Sequence, residues 1–173
     1  MNEDKELLYR FIEGDDIAFE SLVLKYRQGA IQFSMQFVHD YHIAEDIAQE
    51  SFASIYVYKE RYNFKASFKT YLFTIVRNKS IDYIRRNKKG VLEASEVVCD
   101  YSAEEIVIKQ EEKIHLKNTI NQLKDDYKIA IYLIDYNDMS YEEAGKVMGK
   151  STVQIKILIY RARKKLKLLL QEE

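Results

Sequence analysis

Apolar residues recur along this chain every three to four positions and never alternate convincingly, a pattern of amphipathic helices rather than strands. Leu7, Leu8, Phe11 and Ile12 mark a first short helix, closed by Gly14-Asp15-Asp16. A second runs from Ile17 through Phe19, Leu22, Val23, Tyr26, Ile31 and Phe33 to Phe37, ending near His39-Asp40. A third, from His42 to Tyr58, puts Ala44, Ile47, Ala48, Phe52 and Ile55 on one face. A fourth spans Ser67 to Asn87, with Phe68, Leu72, Ile75 and Val76 inward. Its broad outer face carries Thr70, Thr74, Arg77, Asn78, Arg85 and Lys88, and Gly90 ends the unit.

Residues 91–101 have no clear period and read as a linker. Helix resumes at Ser102, which has Glu105 at capping-box spacing, and carries Ile106, Ile108, Ile114, Leu116, Ile120 and Leu123. Another helix covers Tyr127 to Tyr136. The remainder is helix, tight turn and helix: Ser140 to Met148, Gly149-Lys150, then Ser151 to Leu170. The expected fold is all-α, with two small helical domains (1–90 and 102–173) joined by a linker (91–101). The C-terminal domain is expected to be a helix-turn-helix.

Composition supports helices and narrows the setting. Apolar residues make up 47% of the 173, enough to build cores. There is no Pro and only 5 Gly to interrupt a helix. A single cysteine, Cys99, excludes an internal disulfide framework and suits a reducing compartment. No apolar run approaches the roughly 20 residues of a membrane span, and the acidic start is unlike a signal peptide. A cytoplasmic protein with no membrane insertion of its own is expected.

The net charge of −1 conceals a segregation that changes this picture. Residues 61–90 carry nine basic and one acidic side chain (+8), and 144–173 carry eight and two (+6). The stretch before each is acidic: 1–60 has five basic and twelve acidic groups (−7), and 91–143 has five and thirteen (−8). One basic run would suit an ordinary solvated helix face. Two, each closing a helical unit, point to two separate nucleic-acid contacts.

The C-terminal segment carries the clearest local signal. Ser140 and Glu143 can cap the first helix reciprocally, and Gly149 supplies a left-handed turn. Ala144, Val147 and Met148 form its inner face, while Ser151 caps a second helix that buries Ile155, Ile159, Ala162 and Leu166. In such a motif the second helix enters the major groove with its first turns against base edges. Thr152, Gln154 and Lys156 are therefore the candidate base readers. Tyr160, Arg161, Arg163, Lys164 and Lys165 are placed for phosphates, which set affinity and register.

Ahead of the fourth helix, aromatics alternate with cations in Arg61-Tyr62-Asn63-Phe64-Lys65. Single-stranded DNA is held by such combinations, because bases stack on rings while cations track the backbone. On the third helix, Asp46, Gln49 and Glu50 form an outer stripe suited to a basic protein partner. Catalysis finds no footing. His39, His42, His115 and Cys99 show no metal-ligand spacing, and there is no phosphate-binding Gly-rich loop or nucleophile elbow. No cofactor is expected.

Together these residues resemble the extracytoplasmic-function (ECF) sigma factors of bacterial RNA polymerase. Ala18-Phe19-Glu20-Ser21-Leu22 through Tyr26-Arg27, then Ala44 to Phe52, Phe64 to Leu72, Arg77-Asn78, Asp82 and Arg85-Arg86, are similar to the family's region 2. Met139 to Ala144 and Tyr160 to Leu166 are similar to its region 4. The resemblance implies that domain 1–90 docks on core polymerase through Asp46, Gln49 and Glu50. It also implies that Arg61, Asn63, Phe64, Lys65, Arg77, Asn78, Asp82, Arg85 and Arg86 recognise and open the promoter's minus-ten element. Thr152, Gln154, Lys156, Tyr160, Arg161, Arg163 and Lys164 would contact the minus-thirty-five element, and an anti-sigma factor would control the whole. A free-standing helix-turn-helix regulator, independent of polymerase, is the main alternative.

Three departures from the family's pattern stand out. Tyr71 takes the place of a usual Trp, and Leu123-Lys124 that of Leu-Pro. Ile157 and Leu158 occupy positions where Ser and Arg commonly face DNA, an apolar patch that an anti-sigma factor could grip.

Overall fold

A computed structural model describes residues 3–87 and 107–171. The expected linker and the boundaries beside it, Lys88, Lys89, Cys99, the Ser102–Glu105 cap, Ile106 and the side chain of Ile108 lie outside them. The chain divides into two compact units, and among the described residues there is no strand.

The first unit contains α1 (Glu3–Ile12), α2 (Asp16–Val38), α3 (Tyr41–Val57), a 3-10 turn (Lys59–Arg61) and α4 (Phe68–Asn87). Its boundaries are set by short-range chemistry. Asp15 accepts the Ile17 and Ala18 amides at 3.0 and 3.2 Å, and Asp40 accepts the Ile43 amide at 3.1 Å. His39, at φ 54°, takes the left-handed position that ends α2. α2 is the centre of the unit, packed by α1, α3 and α4. α3 runs antiparallel to it, with Tyr56 donating to Asp16 at 3.0 Å and Arg27 paired with Glu45 at 2.6 Å.

The core is aromatic. Phe11 stacks on Phe19 with centroids 4.4 Å apart, and Phe33 on Phe73 at 4.8 Å. Phe11, Phe33 and Phe73 are fully buried, each burial stabilising the fold by about 2–3 kcal/mol. Phe73, absent from the inner face read from periodicity, thus belongs to it. Thr70, expected outside, is instead buried, because its hydroxyl and amide meet the Ser67 hydroxyl at the start of α4. Ser34 and Ser80 satisfy each other inside the unit at 3.0 Å.

The second unit holds α5 (Val107–Asn121), α6 (Asp125–Ile131), a π-helical turn (Tyr132–Tyr136), α7 (Tyr141–Met148) apart from Lys146–Met148, and α8 (Thr152–Gln171). α8 packs against α5 and α6 through Ile155, Ile159 and Ala162, all buried. Leu166, expected with them, is only half-buried, and Ile114 and Leu116 of α5 are exposed. The helix expected over Tyr127–Tyr136 is α6 and its π turn, where Tyr132 stacks on Tyr136 at 5.3 Å. Burial pushes the Tyr132 phenol up to about 12.

Candidate functional site

Two surfaces collect the candidate residues, and each is held differently. In the first unit, the loop between the 3-10 turn and α4 is organised by four rings. Phe64 lies stacked on Tyr9 of α1, centroids 4.3 Å apart and planes 18° apart. Tyr62 meets Phe64 edge-on at 4.9 Å and Tyr71 at 5.1 Å. The Tyr62 hydroxyl donates to the Ala66 carbonyl, and Asn63 Oδ1 accepts the Lys65 amide at 3.1 Å. This arrangement places Phe64 at φ 58°, a left-handed conformation that costs a non-glycine residue about 1–2 kcal/mol. Burial holds the Tyr62 phenol above its ordinary pKa.

Cations edge the ring cluster. The Arg61 guanidinium sits 4.1 Å from the Tyr58 ring centre, and Lys65 is exposed. Along α4, Tyr71, Thr74, Asn78, Asp82 and Arg85 follow at steps of three or four, so they share the outward face with the loop. Arg85 pairs with Asp82 at 3.1 Å. Half-buried Arg77 flanks this face, its guanidinium 3.5 Å from the Asn78 side-chain oxygen. Arg86, one residue beyond Arg85, is exposed but turned about 100° away. On α3, Asp46, Gln49 and Glu50 form one exposed stripe, with Lys79 3.5 Å from Glu50.

In the second unit, each helix of the helix-turn-helix starts on a reciprocal cap. Ser140 Oγ accepts the Glu143 amide at 3.2 Å while Glu143 accepts the Ser140 amide at 3.0 Å. Ser151 Oγ accepts the Gln154 amide at 3.2 Å, and Gln154 Oε1 accepts the Ser151 amide at 2.8 Å. Between them Gly149 takes φ 65°, and the Lys150 amide donates to the Gly145 carbonyl at 2.9 Å. Gly145 is the residue on which the turn closes. A Cβ there would stand 2.6 Å from the Lys150 carbonyl oxygen.

Thr152, Lys156, Tyr160, Arg161 and Lys164 are exposed on α8. Two of the expected DNA residues are otherwise engaged. The Gln154 carbonyl is tied to Ser151, and Arg163 forms a two-pronged pair with Asp135, Nε at 3.2 Å. That carboxylate holds the Arg163 pKa still higher than usual. Lys156, Arg163, Lys164 and Lys167 nevertheless line one open groove with Tyr141 and Tyr160. Ile157 points outward, whereas Leu158 is half-buried, so these two do not form one exposed patch.

Periodicity missed Tyr9 and Gly145. Tyr9 is an aromatic on the polar side of a short amphipathic helix, and Gly145 a glycine inside an eight-residue one; both were visible anomalies. Among the described residues there is no cluster of three or more potential metal ligands, and no helix is long and apolar enough to cross a membrane.

Comparison with known proteins covers both surfaces. Residues 22–90 match the family Sigma-70 region 2, and residues 115–166 match Sigma-70, region 4. The chain is 28% identical to the ECF RNA polymerase sigma factor SigM of Bacillus subtilis over 160 residues, covering 88% of this chain and 95% of that one. It is 29% identical to the B. subtilis ECF sigma factor SigW, covering 94% of each. Among solved structures, it is similar to the sigma factor RpoE in complex with the anti-sigma factor NepR from Bartonella quintana. That match has TM-score 0.71 and 25% identity, covering 88% of this chain and 96% of that one.

Proposed function

Because this chain belongs to the ECF sigma factors, with region 2 and region 4 in order, we propose that it binds core RNA polymerase and directs promoter-specific transcription initiation. The observation that carries the reading is the pairing, in one chain, of two unlike DNA surfaces. One is a ring-and-cation loop suited to an unpaired base, and the other a helix with a reciprocal N-terminal cap, suited to the major groove.

The roles follow from the chemistry of each surface. Asp46, Gln49 and Glu50 dock on a basic helical element of core polymerase, where exposed acids steer association. An extruded minus-ten base enters beside Phe64 and Tyr62. Arg61, Lys65, Arg77 and Arg85 hold the phosphates around it, and Asn63, Asn78 and Asp82 supply hydrogen bonds to base edges. Arg86 meets the duplex boundary. The α8 surface holds the minus-thirty-five element, with Thr152, Gln154 and Lys156 at the bases and Tyr160, Arg161, Arg163 and Lys164 at phosphates. Residues 1–90 and 102–173 work as the two recognition domains, and 91–101 as the tether. Polymerase performs the chemistry, so the chain needs no catalytic residue or cofactor, and it works in the cytoplasm with the enzyme. An anti-sigma factor, as in the RpoE complex with NepR, holds the chain inactive until released.

The test is initiation by core polymerase on fragmented genomic DNA, with and without this protein, followed by mapping of transcript starts. Protein-dependent starts that share two spaced sequence elements are expected. A folded protein that binds no core and yields no new starts would overturn the reading. Tight duplex binding without polymerase, at about 10 nM, would favour a free-standing regulator instead.

A further inference from the structure

The outward face of α8 departs from what a purely polar reader would present. Ile155, Ile159 and Ala162 are buried, so the residues opposite them face away from the unit. Those residues are Val153 and Ile157, one turn apart, and they are 65% and 47% exposed. Leaving two β-branched side chains in water in the first turns of α8 has no structural benefit. Lys156 and Arg161 flank the pair, and Lys164 follows two turns after Ile157 on the same face, so whatever covers it is a polyanion. Within the major groove of a duplex, the apolar group available to such side chains is the thymine C5-methyl. The polar readers are correspondingly depleted, because Gln154 reads adenine best with both halves of its amide and one half is bonded to Ser151.

We propose that Val153 and Ile157 are specificity-determining residues that read thymine methyl groups in the minus-thirty-five element. This rests on the sigma factor reading above, and it names the base chemistry that α8 recognises. Recognition then adds shape-selective methyl contacts to the base contacts of Thr152, Gln154 and Lys156 and to phosphate contacts from the surrounding cations. An upstream element rich in A·T pairs at the positions under the first two turns of α8 follows.

The experiment uses holoenzyme, core polymerase plus the full chain, on a promoter found by start mapping. Thymines of the upstream element are replaced one at a time by deoxyuridine, which removes the methyl and keeps every hydrogen-bonding group. Loss of one methyl contact should weaken promoter binding about fourfold, and loss of two on the order of tenfold. Val153→Ala and Ile157→Ala, both at exposed positions that leave the core intact, should bind the thymine promoter about as weakly as the wild type binds the uracil one. They should also lose the discrimination between the two. If wild-type holoenzyme treats uracil and thymine alike at every position while starts remain protein-dependent, the methyl proposal is overturned and the sigma factor reading stands. An upstream element of G·C pairs alone would overturn it equally. If no start on the thymine template depends on the protein, both readings fall together.

Discussion

α4 and α8 are each twenty residues long, each closes a helical unit, and each carries one of the chain's two basic blocks. The surfaces proposed to bind DNA are nevertheless built on opposite principles. α4 takes its chemistry from the loop ahead of it, where Phe64 is held in a left-handed conformation by Tyr9 and Tyr62. α8 takes its chemistry from its own regular surface, and its entry is closed by the Ser151–Gln154 reciprocal cap. A loop proposed to receive an extruded base needs groups that can part, and ring stacks worth about 1 kcal/mol each can part. A helix that must fit a groove of fixed width needs the reverse, a backbone with no slack. The difference in construction thus matches the difference between a melted strand and a duplex.

The sharpest way to break this comparison is to remove the rigidity of the second surface. Gly145→Ala would force a Cβ to within 2.6 Å of the Lys150 backbone oxygen, which cannot move without opening the turn. A destabilisation of about 3 kcal/mol confined to the second unit is expected, with promoter-dependent initiation lost. Thermal unfolding followed by resolved amide signals would check it, since the first unit should keep its midpoint. Gly145→Ala with an unchanged turn would mean that α8 is not held as tightly as described.

The corresponding change in the first surface is Phe64→Ala. Loss of one stacking ring should weaken holoenzyme binding to a single-stranded minus-ten oligonucleotide roughly tenfold and leave duplex upstream binding intact. Phe64→Gly should bind as weakly, yet fold more stably than Phe64→Ala by about 1 kcal/mol, because glycine tolerates φ 58° without strain. Paired binding and denaturation measurements separate the ring's role from the backbone's. Equal stability of the two variants would remove the strain from the account.

These residues also indicate what could be read from sequence. Helix limits and the two units were legible because their causes are local: Asp15, Asp40, Ser140 and Ser151 act within three residues of themselves. The positions of both basic surfaces followed from charge segregation. Pairings over distance could not be read that way. Nothing near Arg163 marks Asp135, 28 residues earlier, as its partner. Likewise the stack of Phe64 on Tyr9 arises from packing, to which periodicity is blind.

Arg163 offers a smaller test of the same contrast. If its guanidinium chiefly fixes α8 against Asp135, Arg163→Asp should cost about 1 kcal/mol or less, given the exposure of both groups, and adding Asp135→Arg should restore it. The salt dependence of promoter binding should then change little for the swapped pair, whereas Lys164→Ala should reduce its logarithmic slope by about one. A swap that regains stability but loses one unit of salt slope would support the phosphate contact proposed for Arg163.

Smallest in effect is an acid response that should distinguish the helix caps. Asp15 caps α2 and receives the Arg10 guanidinium at 2.6 and 2.9 Å. That hydrogen bond, followed by the Ala18 amide, holds its pKa below the usual carboxylate value. With a lowered folded-state pKa, the unfolded chain takes up the proton first. The stabilisation is therefore complete above the ordinary carboxylate pKa, about 4, and is lost as pH falls through the lower folded value. The α8 cap consists of a hydroxyl and an amide, which do not titrate there. Asp15→Asn keeps a capping oxygen but removes the charge, so it should flatten part of the acid decline of the first unit and leave the second unit's decline unchanged. Unfolding midpoints for each unit between about pH 7 and about pH 3 would show this. An identical decline in wild type and Asp15→Asn would mean that the Arg10–Asp15 pair adds nothing to the start of α2.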